Sequence, residues 1–251
     1  MSGHSKWANI KHKKEAADKK KGKAFSSLAK EIMVAAKVGG GDPNANPRLR
    51  AALTAAKAIN LPNANIERAI KKGTGELGDV VYEEVVYEGY AAGGVGVIIE
   101  CLTDNRNRSA SDVRATLDRN NGNLASSGAV SRLFTRQSHF VIEGENADED
   151  KLMEVVLDAG AEDIEVDDGV ADIWGPTDCF EAIAKSLEDA GISTTEAGVV
   201  RRPLTTVELT DAKTAQQVLR LVDRLEELDD VQTVTANFEI ADDIAGELEE
   251  D

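Results

Sequence analysis

The sequence predicts an α+β protein, in which an N-terminal three-helix bundle precedes two α/β domains, one inserted in the other. Apolar residues recur at helical spacing in three segments before residue 79. From about residue 80, short β-rich runs take over and alternate with helical segments. Between residues 138 and 200 the predicted elements follow the order βαββαβ, which is typical of a ferredoxin-like fold.

The chain is long enough for several domains, because 251 residues exceed the usual size of a single hydrophobic core. Both α/β domains are predicted to be ferredoxin-like. We place a basic arm and helical bundle at 1–79, an α/β domain at 80–134 with 205–240, an inserted ferredoxin-like domain at 135–204 and an acidic tail at 241–251. Two continuous α/β domains with a helical tail fit the same pattern.

The bundle is predicted from three amphipathic segments. The apolar stripe in Phe25–Ala36 forms one face of a first helix, which ends at the glycines from Gly39 onward. Asn46 is a suitable cap for a second helix with Pro47 in its first turn. A third, shorter helix follows Pro62. Short loops between such helices favour a compact bundle.

Beyond the bundle, β-rich runs and helical segments alternate, beginning with a hairpin. The predicted strands are Tyr82–Tyr90, Val95–Leu102, Ala129–Thr135, Phe140–Glu143, Asp163–Val166, Val170–Trp174, Ile192–Val200 and Val231–Ile240. The predicted helices span about 109–120, 150–159, 178–190 and 211–228.

Charge is distributed very unevenly along the chain, whose net charge is −17. Residues 1–79 contain 16 Lys and Arg against 7 Asp and Glu, a net of +9, which leaves 13 against 39, a net of −26, in residues 80–251. Clustered cations attract polyanions, whereas an acidic remainder repels them. This polarity predicts an electrostatic function for the N-terminal part.

The lysine-rich N-terminal segment is the first candidate site, because lysines that neutralise phosphates release counterions and so favour nucleic-acid binding. Trp7 and His12 can stack on bases, although a single Trp can equally pack the arm onto the bundle. The alternative is a solvated tail. The candidate nucleic-acid contacts are Lys6, Trp7, Lys11, His12, Lys13, Lys14, Lys19, Lys20, Lys21 and Lys23.

Arg106 and Arg108 form a second candidate site, in a loop predicted between a strand and a helix N-terminus. Guanidinium groups beside helix-end amides can bind phosphate by forked hydrogen bonds. In the alternative interpretation, the Asp and Asn residues of this loop form a turn, and the two arginines pair with the acidic edges of the sheet.

Other motifs give no case for an enzyme. The glycine run at 39–41 lacks a preceding strand and the Gly-Lys-Ser/Thr ending of a phosphate-binding loop. The three histidines, Cys101 and Cys179 show no triad or metal-ligand spacing. We expect no catalytic residue, metal site, cofactor or small-molecule substrate. No signal peptide or membrane-spanning run is apparent, so we expect a soluble, cytoplasmic protein with no membrane partner.

Several separated blocks of the sequence resemble the YebC/PmpR family, over essentially the whole chain. These blocks are Met1–Trp7, Ile10–Lys14, Phe25–Ala36, Asp42–Pro43, Asn46–Arg50, Asn60–Pro62, Ile66–Ile70, Tyr87–Tyr90, Gly93–Val95, Thr103–Arg108 and Asn123–Val130. The sequence departs from the family at Arg132, where an aromatic or apolar residue is common, and in its unusually acidic C-terminal half.

The resemblance implies a three-domain fold and a bacterial-type cytosolic protein described as a probable DNA-binding transcriptional regulator. A mitochondrial relative is a translational activator of cytochrome c oxidase subunit I, and bacterial members have been connected with ribosomes. The resemblance therefore supports nucleic acid as the polyanion, either duplex DNA or ribosomal RNA.

Three functional hypotheses follow. The first is a DNA-binding transcriptional regulator, and the second is a ribosome-associated translation factor that binds ribosomal RNA. No strong helix-turn-helix pattern is apparent, so recognition of DNA would be weakly sequence-specific or would depend on DNA shape. The third hypothesis is an interaction protein whose acidic domains bind a basic partner.

Overall fold

The computed structural model describes residues 17–78, 82–167, 169–241 and 244, with side chains from Gly22 onward. These residues form seven α-helices and ten strands, arranged as a helical bundle, two four-stranded sheets and a two-stranded sheet. The architecture agrees with the predicted α+β class.

The bundle consists of α1 (Ala17–Gly39), α2 (Pro47–Ala58) and α3 (Asn63–Gly73). Helix α1 begins before the apolar stripe, because Ala and Lys are good helix formers although they add no apolar periodicity. Both α2 and α3 pack against α1. The buried core of the bundle contains Ile32, Ala35, Leu49, Ala52, Ala56, Leu61, Ile66 and Ala69.

Asn46 fixes the start of α2, as the sequence predicts. Its side-chain oxygen accepts a hydrogen bond from the backbone N–H of Leu49 at 3.1 Å. Its amide nitrogen donates to the carbonyls of Ala35 and Gly40, each at 2.8 Å. Asn46 therefore caps α2 and also joins it to the end of α1.

The first sheet begins with the predicted hairpin, which is formed by β1 (Glu83–Tyr90) and β2 (Gly96–Thr103) in antiparallel register. Helix α4 (Arg106–Arg119) follows and leads to the short β3 (Asn123–Leu124). Helix α7 (Ala212–Glu226) and β9 (Val231–Ala236) complete this part, with strand order β3-β1-β2-β9.

The second sheet has the ferredoxin-like element order. Its elements are β4 (Phe134–Glu143), α5 (Glu149–Val156), β5 (Asp163–Asp167), β6 (Val170–Gly175), α6 (Phe180–Asp189) and β7 (Glu196–Pro203). The strand order is β5-β6-β4-β7, and every neighbouring pair is antiparallel. In sequence these strands lie between β3 and β9 of the first sheet.

Two predicted strands differ from the structure in more than their bounds. Ala129–Thr135 is not a separate strand, because a 3-10 turn at Ser131–Leu133 leads directly into β4. The predicted strand Val231–Ile240 is divided at Asn237, which is buried and donates a side-chain hydrogen bond to the carbonyl of Thr205. Beyond it, β10 (Phe238–Ile240) pairs in parallel with β8 (Val207–Leu209).

The described residues fall into two compact units. The first unit holds those between 14 and 127 and between 216 and 235, and it therefore joins the bundle to the first sheet. The second unit holds those between 128 and 215 and from 236 onward, around the second sheet. The residue bounds predicted for the domains stay a prediction.

Candidate nucleic-acid interface

Much of the predicted arm lies outside the described residues. Lys6, Trp7, Lys11, His12, Lys13 and Lys14 belong to that part of the chain. The backbone of Lys19, Lys20 and Lys21 lies in the first turns of α1. Lys23 is the predicted arm residue whose side chain the structure describes.

Lys23 and Lys30 attach α1 to the loop between α7 and β9 within the first unit. The Nζ atom of Lys23 donates to the carbonyl of Leu228 at 2.8 Å, and that of Lys30 donates to the carbonyl of Asp229 at 2.8 Å. Burial lowers the pKa of Lys23, against the raising effect of the nearby carboxylates. Both lysines therefore have partners within the protein and are poorly placed to neutralise phosphate.

Asp230 is the centre of the polar contacts in this loop. Its side chain is only 8% exposed, and one carboxylate oxygen accepts from Lys30 at 3.1 Å. The other oxygen accepts from Arg108 Nη2 at 2.7 Å, Ser109 at 2.9 Å and Thr103 at 3.0 Å. Burial alone would raise the pKa of Asp230, but these hydrogen bonds lower it to about 2.

The two predicted loop arginines differ in their surroundings. Arg108 donates to Asp230 and also to Asp104 at 2.8 Å, so two carboxylates compensate its charge. These hydrogen bonds raise the pKa of Arg108. Arg106 is 67% exposed and lies 3.9 Å from Glu83. Their role as phosphate contacts stays a prediction, with Arg106 the more accessible of the two.

Within the part of the chain that the structure describes, six cations of the bundle have no hydrogen-bond or ion-pair partner for their side chains. Arg48, by contrast, is held by Glu31 and Glu84. On α2, Arg50 and Lys57 lie seven positions apart and so share an exposed stripe. The six cations are Lys37, Arg50, Lys57, Arg68, Lys71 and Lys72.

Sequence reasoning does not identify these six residues as a site. In the sequence, Lys71 and Lys72 mark the end of a helix, and Arg50 and Lys57 fit the solvated side of another. The signal that could have found them is their helical spacing opposite the apolar stripe. Which cations have acidic partners depends on contacts between segments far apart in sequence.

In the second unit, the cation Arg202 is neutralised. Arg202 stacks over the ring of Trp174 at 4.5 Å and pairs with Asp163 at 2.7 Å and Glu165 at 2.5 Å. His139 stacks on Trp174 with its ring centre 4.0 Å away. Arg202 is therefore unsuited to neutralising a bound phosphate.

Neither a cluster of metal ligands nor a reactive thiol at Cys101 is found in the described parts of the chain. No group of three or more potential metal ligands occurs among those residues. Cys101 is buried, and this burial raises the pKa of its thiol to about 12, so the thiolate nucleophile is rare at neutral pH. Of the helices described, none has the length and apolar character needed to cross a membrane.

Comparisons with known proteins cover nearly the whole chain. The family model described as "TACO1/YebC protein N-terminal domain" matches residues 5–76, and the model described as "TACO1/YebC second and third domain" matches residues 82–238. A "probable transcriptional regulatory protein" of Syntrophobacter fumaroxidans is 52% identical over 97% of this chain and 98% of its own. A protein of Halothermothrix orenii with the same description is 50% identical over the full length of both chains.

A solved structure supports the fold. The crystal structure of a conserved hypothetical protein from Aquifex aeolicus is 45% identical and has a TM-score of 0.83, over 90% of this chain and 93% of its own. This similarity confirms the predicted fold class. The two relatives are described as regulatory proteins and not as enzymes, which confirms the prediction of a non-enzyme.

Proposed function

Because the chain belongs to the TACO1/YebC family, we propose that it regulates gene expression by binding nucleic acid through its basic arm and helical bundle. The observation that carries this proposal is the set of six bundle cations without partners among the described residues, in a protein whose net charge is −17. In a chain this acidic, six cations without acidic partners among its described residues form a local positive surface that can attract a polyanion.

The descriptions of the relatives favour transcription as the regulated process and duplex DNA as the ligand. The second candidate function is translation, with ribosomal RNA as the ligand. One observation favours it: the six cations belong to all three bundle helices and are not concentrated on one exposed recognition helix. Such a distribution suits contacts with a phosphate backbone better than base reading in a groove.

The proposal is tested with a double variant of the α2 stripe, Arg50→Gln with Lys57→Gln. Binding of promoter DNA, random duplex DNA and purified ribosomes is measured across a salt series. We expect weaker binding and a salt slope smaller by about 2, since each lost phosphate contact on duplex DNA contributes about 0.9.

The matched control is Lys151→Gln with Lys185→Gln, which removes two exposed charges from the second unit. If the control weakens binding as much as the α2 variant, net charge and not a bundle site explains the affinity. Ribosome binding without promoter preference would favour translation, whereas a promoter preference of about tenfold or more without ribosome binding would favour transcription. Failure of the wild-type protein to bind any of the three would contradict the proposal.

A further inference from the structure

A groove of about 250 Å³ runs between α1 and α3, inside the first unit. Its floor is apolar and includes Phe25, Ala29 and Met33, and its sides are polar and cationic. The residues that line the sides are Ser26, Asn65, Arg68 and Lys72.

The sides of the groove present charged and hydrogen-bonding side chains that a ligand can contact. Arg68 and Lys72 are one helical turn apart on α3 and are two of the six cations without partners among the described residues. Ser26 and Asn65 are exposed and offer a hydroxyl and an amide. The groove thus combines apolar contact area, hydrogen-bonding groups and two positive charges.

The size of the groove limits its occupant. Its volume lies below the range of about 300–1,000 Å³ that is usual for sites binding whole small molecules. One planar ring system is of suitable size, and the two cations favour an occupant attached to negatively charged groups.

We propose that this groove receives a single unpaired base of the bound nucleic acid, while Arg68 and Lys72 contact the flanking phosphates. Unpaired bases stack on aromatic rings and on guanidinium planes, and Phe25 and Arg68 supply one of each. In a regular duplex every base is already stacked. The inference rests on the proposed function and specifies its ligand as nucleic acid with at least one unstacked base.

An apolar side chain of a partner protein is the competing occupant. It would fill the floor of the groove but leave the positive charges of Arg68 and Lys72 without a counterpart. Charge complementarity therefore favours the base.

The test fills the groove without changing its charge. Ala29→Leu adds an aliphatic side chain to the floor, and Ser26→Leu adds one at the side of the groove, at an exposed position where folding is least affected. Ala64→Leu, at an exposed position of α3 outside the groove lining, is the matched control. The probe is a DNA oligonucleotide containing one 2-aminopurine, either single-stranded or annealed to its full complement.

We expect the full-length wild-type protein to prefer the single strand by about tenfold, within the range for stacking one base on an aromatic ring, and to change the 2-aminopurine fluorescence. Both groove-filling variants should lose this preference and the fluorescence change while retaining duplex binding. The control should keep both properties.

Duplex binding without a single-strand preference in the wild-type protein would overturn the base site and leave the proposed function standing. A preference that survives both groove-filling variants would also overturn it. If the wild-type protein binds neither probe, the base site is overturned, whereas the proposed function fails only if promoter DNA, random duplex DNA and ribosomes are also left unbound.

Discussion

Replacing Asp230 by Asn should destabilise the first unit, because Asp230 joins side chains of α1, β2 and α4 through Lys30, Thr103 and Arg108. The substitution leaves two cations facing a neutral amide. We expect the free energy of unfolding to fall by about 2–3 kcal/mol, less than the roughly 3–5 kcal/mol of a fully buried charge pair, because Arg108 is half-exposed. Urea denaturation measures this change.

The loss of stability caused by Asp230→Asn should depend on pH. The folded-state pKa of Asp230 is about 2, below its usual 3.8, so its stabilising contribution is complete above the higher value and is lost as pH falls through the lower one. The difference in the free energy of unfolding between the wild type and the Asp230→Asn variant should therefore narrow as pH falls from about 4 to about 2. Asp229→Asn, at an exposed neighbouring acid, should change stability by less than about 0.5 kcal/mol. Equal effects at both positions would contradict the role given to Asp230.

Arg108 shows what the sequence can and cannot predict for a single residue. Its position at the start of α4 is close to the prediction, because Thr103–Arg108 carries the turn and capping residues of a strand-to-helix connection. Its principal partner, Asp230, lies 122 residues further along the chain. Local sequence patterns carry no information on such a pairing, so the sequence alone leaves both interpretations of the loop arginines open.

Between elements, the contact of α3 with α1 depends on the absence of a side chain at Gly73. A Cβ atom there would lie 2.3 Å from the carbonyl oxygen of Met33 and 2.8 Å from the Cβ of Ala36. Gly73→Ala should therefore push the helices apart and cost about 2 kcal/mol, as overpacking commonly does. Thermal unfolding followed by circular dichroism measures the change.

Gly22 provides the opposite case within the same bundle. It lies in α1, and a Cβ atom added there would have no neighbouring atom within 4 Å. Gly22→Ala should therefore stabilise the protein by about 0.5–1 kcal/mol through helix propensity alone. A Gly73→Ala variant as stable as the wild type would contradict the limit on position 73, whereas a less stable Gly22→Ala variant would contradict the propensity argument.

Among the elements, the sequence predicts most helices and the element order of the ferredoxin-like unit, because their periodic patterns are local. It does not predict the division of the last strand at Asn237. That division depends on the parallel pairing of β10 with β8, a contact between segments about 30 residues apart that alternating apolar residues do not specify.

For the molecule as a whole, charge polarity is the property most directly readable from sequence. The structure adds which basic residues are compensated: Lys23, Lys30, Arg48 and Arg108 have partners, whereas the six bundle cations have none among the described residues. The acidic remainder should weaken the attraction of a polyanion to that bundle by long-range repulsion.

Neutralising some of the acidic residues in 80–251 should therefore strengthen nucleic-acid binding. Glu145 and Glu154 are exposed residues of the second unit, and Glu145→Gln with Glu154→Gln should raise the affinity for duplex DNA about twofold at low salt. The gain should disappear at high salt, because screening shortens the Debye length from about 10 Å at 0.1 M to about 3 Å at 1 M. Fluorescence anisotropy across a salt series measures the gain in affinity at low salt and its loss at high salt.

The charge-preserving pair Glu145→Asp with Glu154→Asp should bind like the wild type. A gain that persists at high salt would instead indicate that these side chains lie at the nucleic-acid contact itself, contrary to a site confined to the arm and bundle.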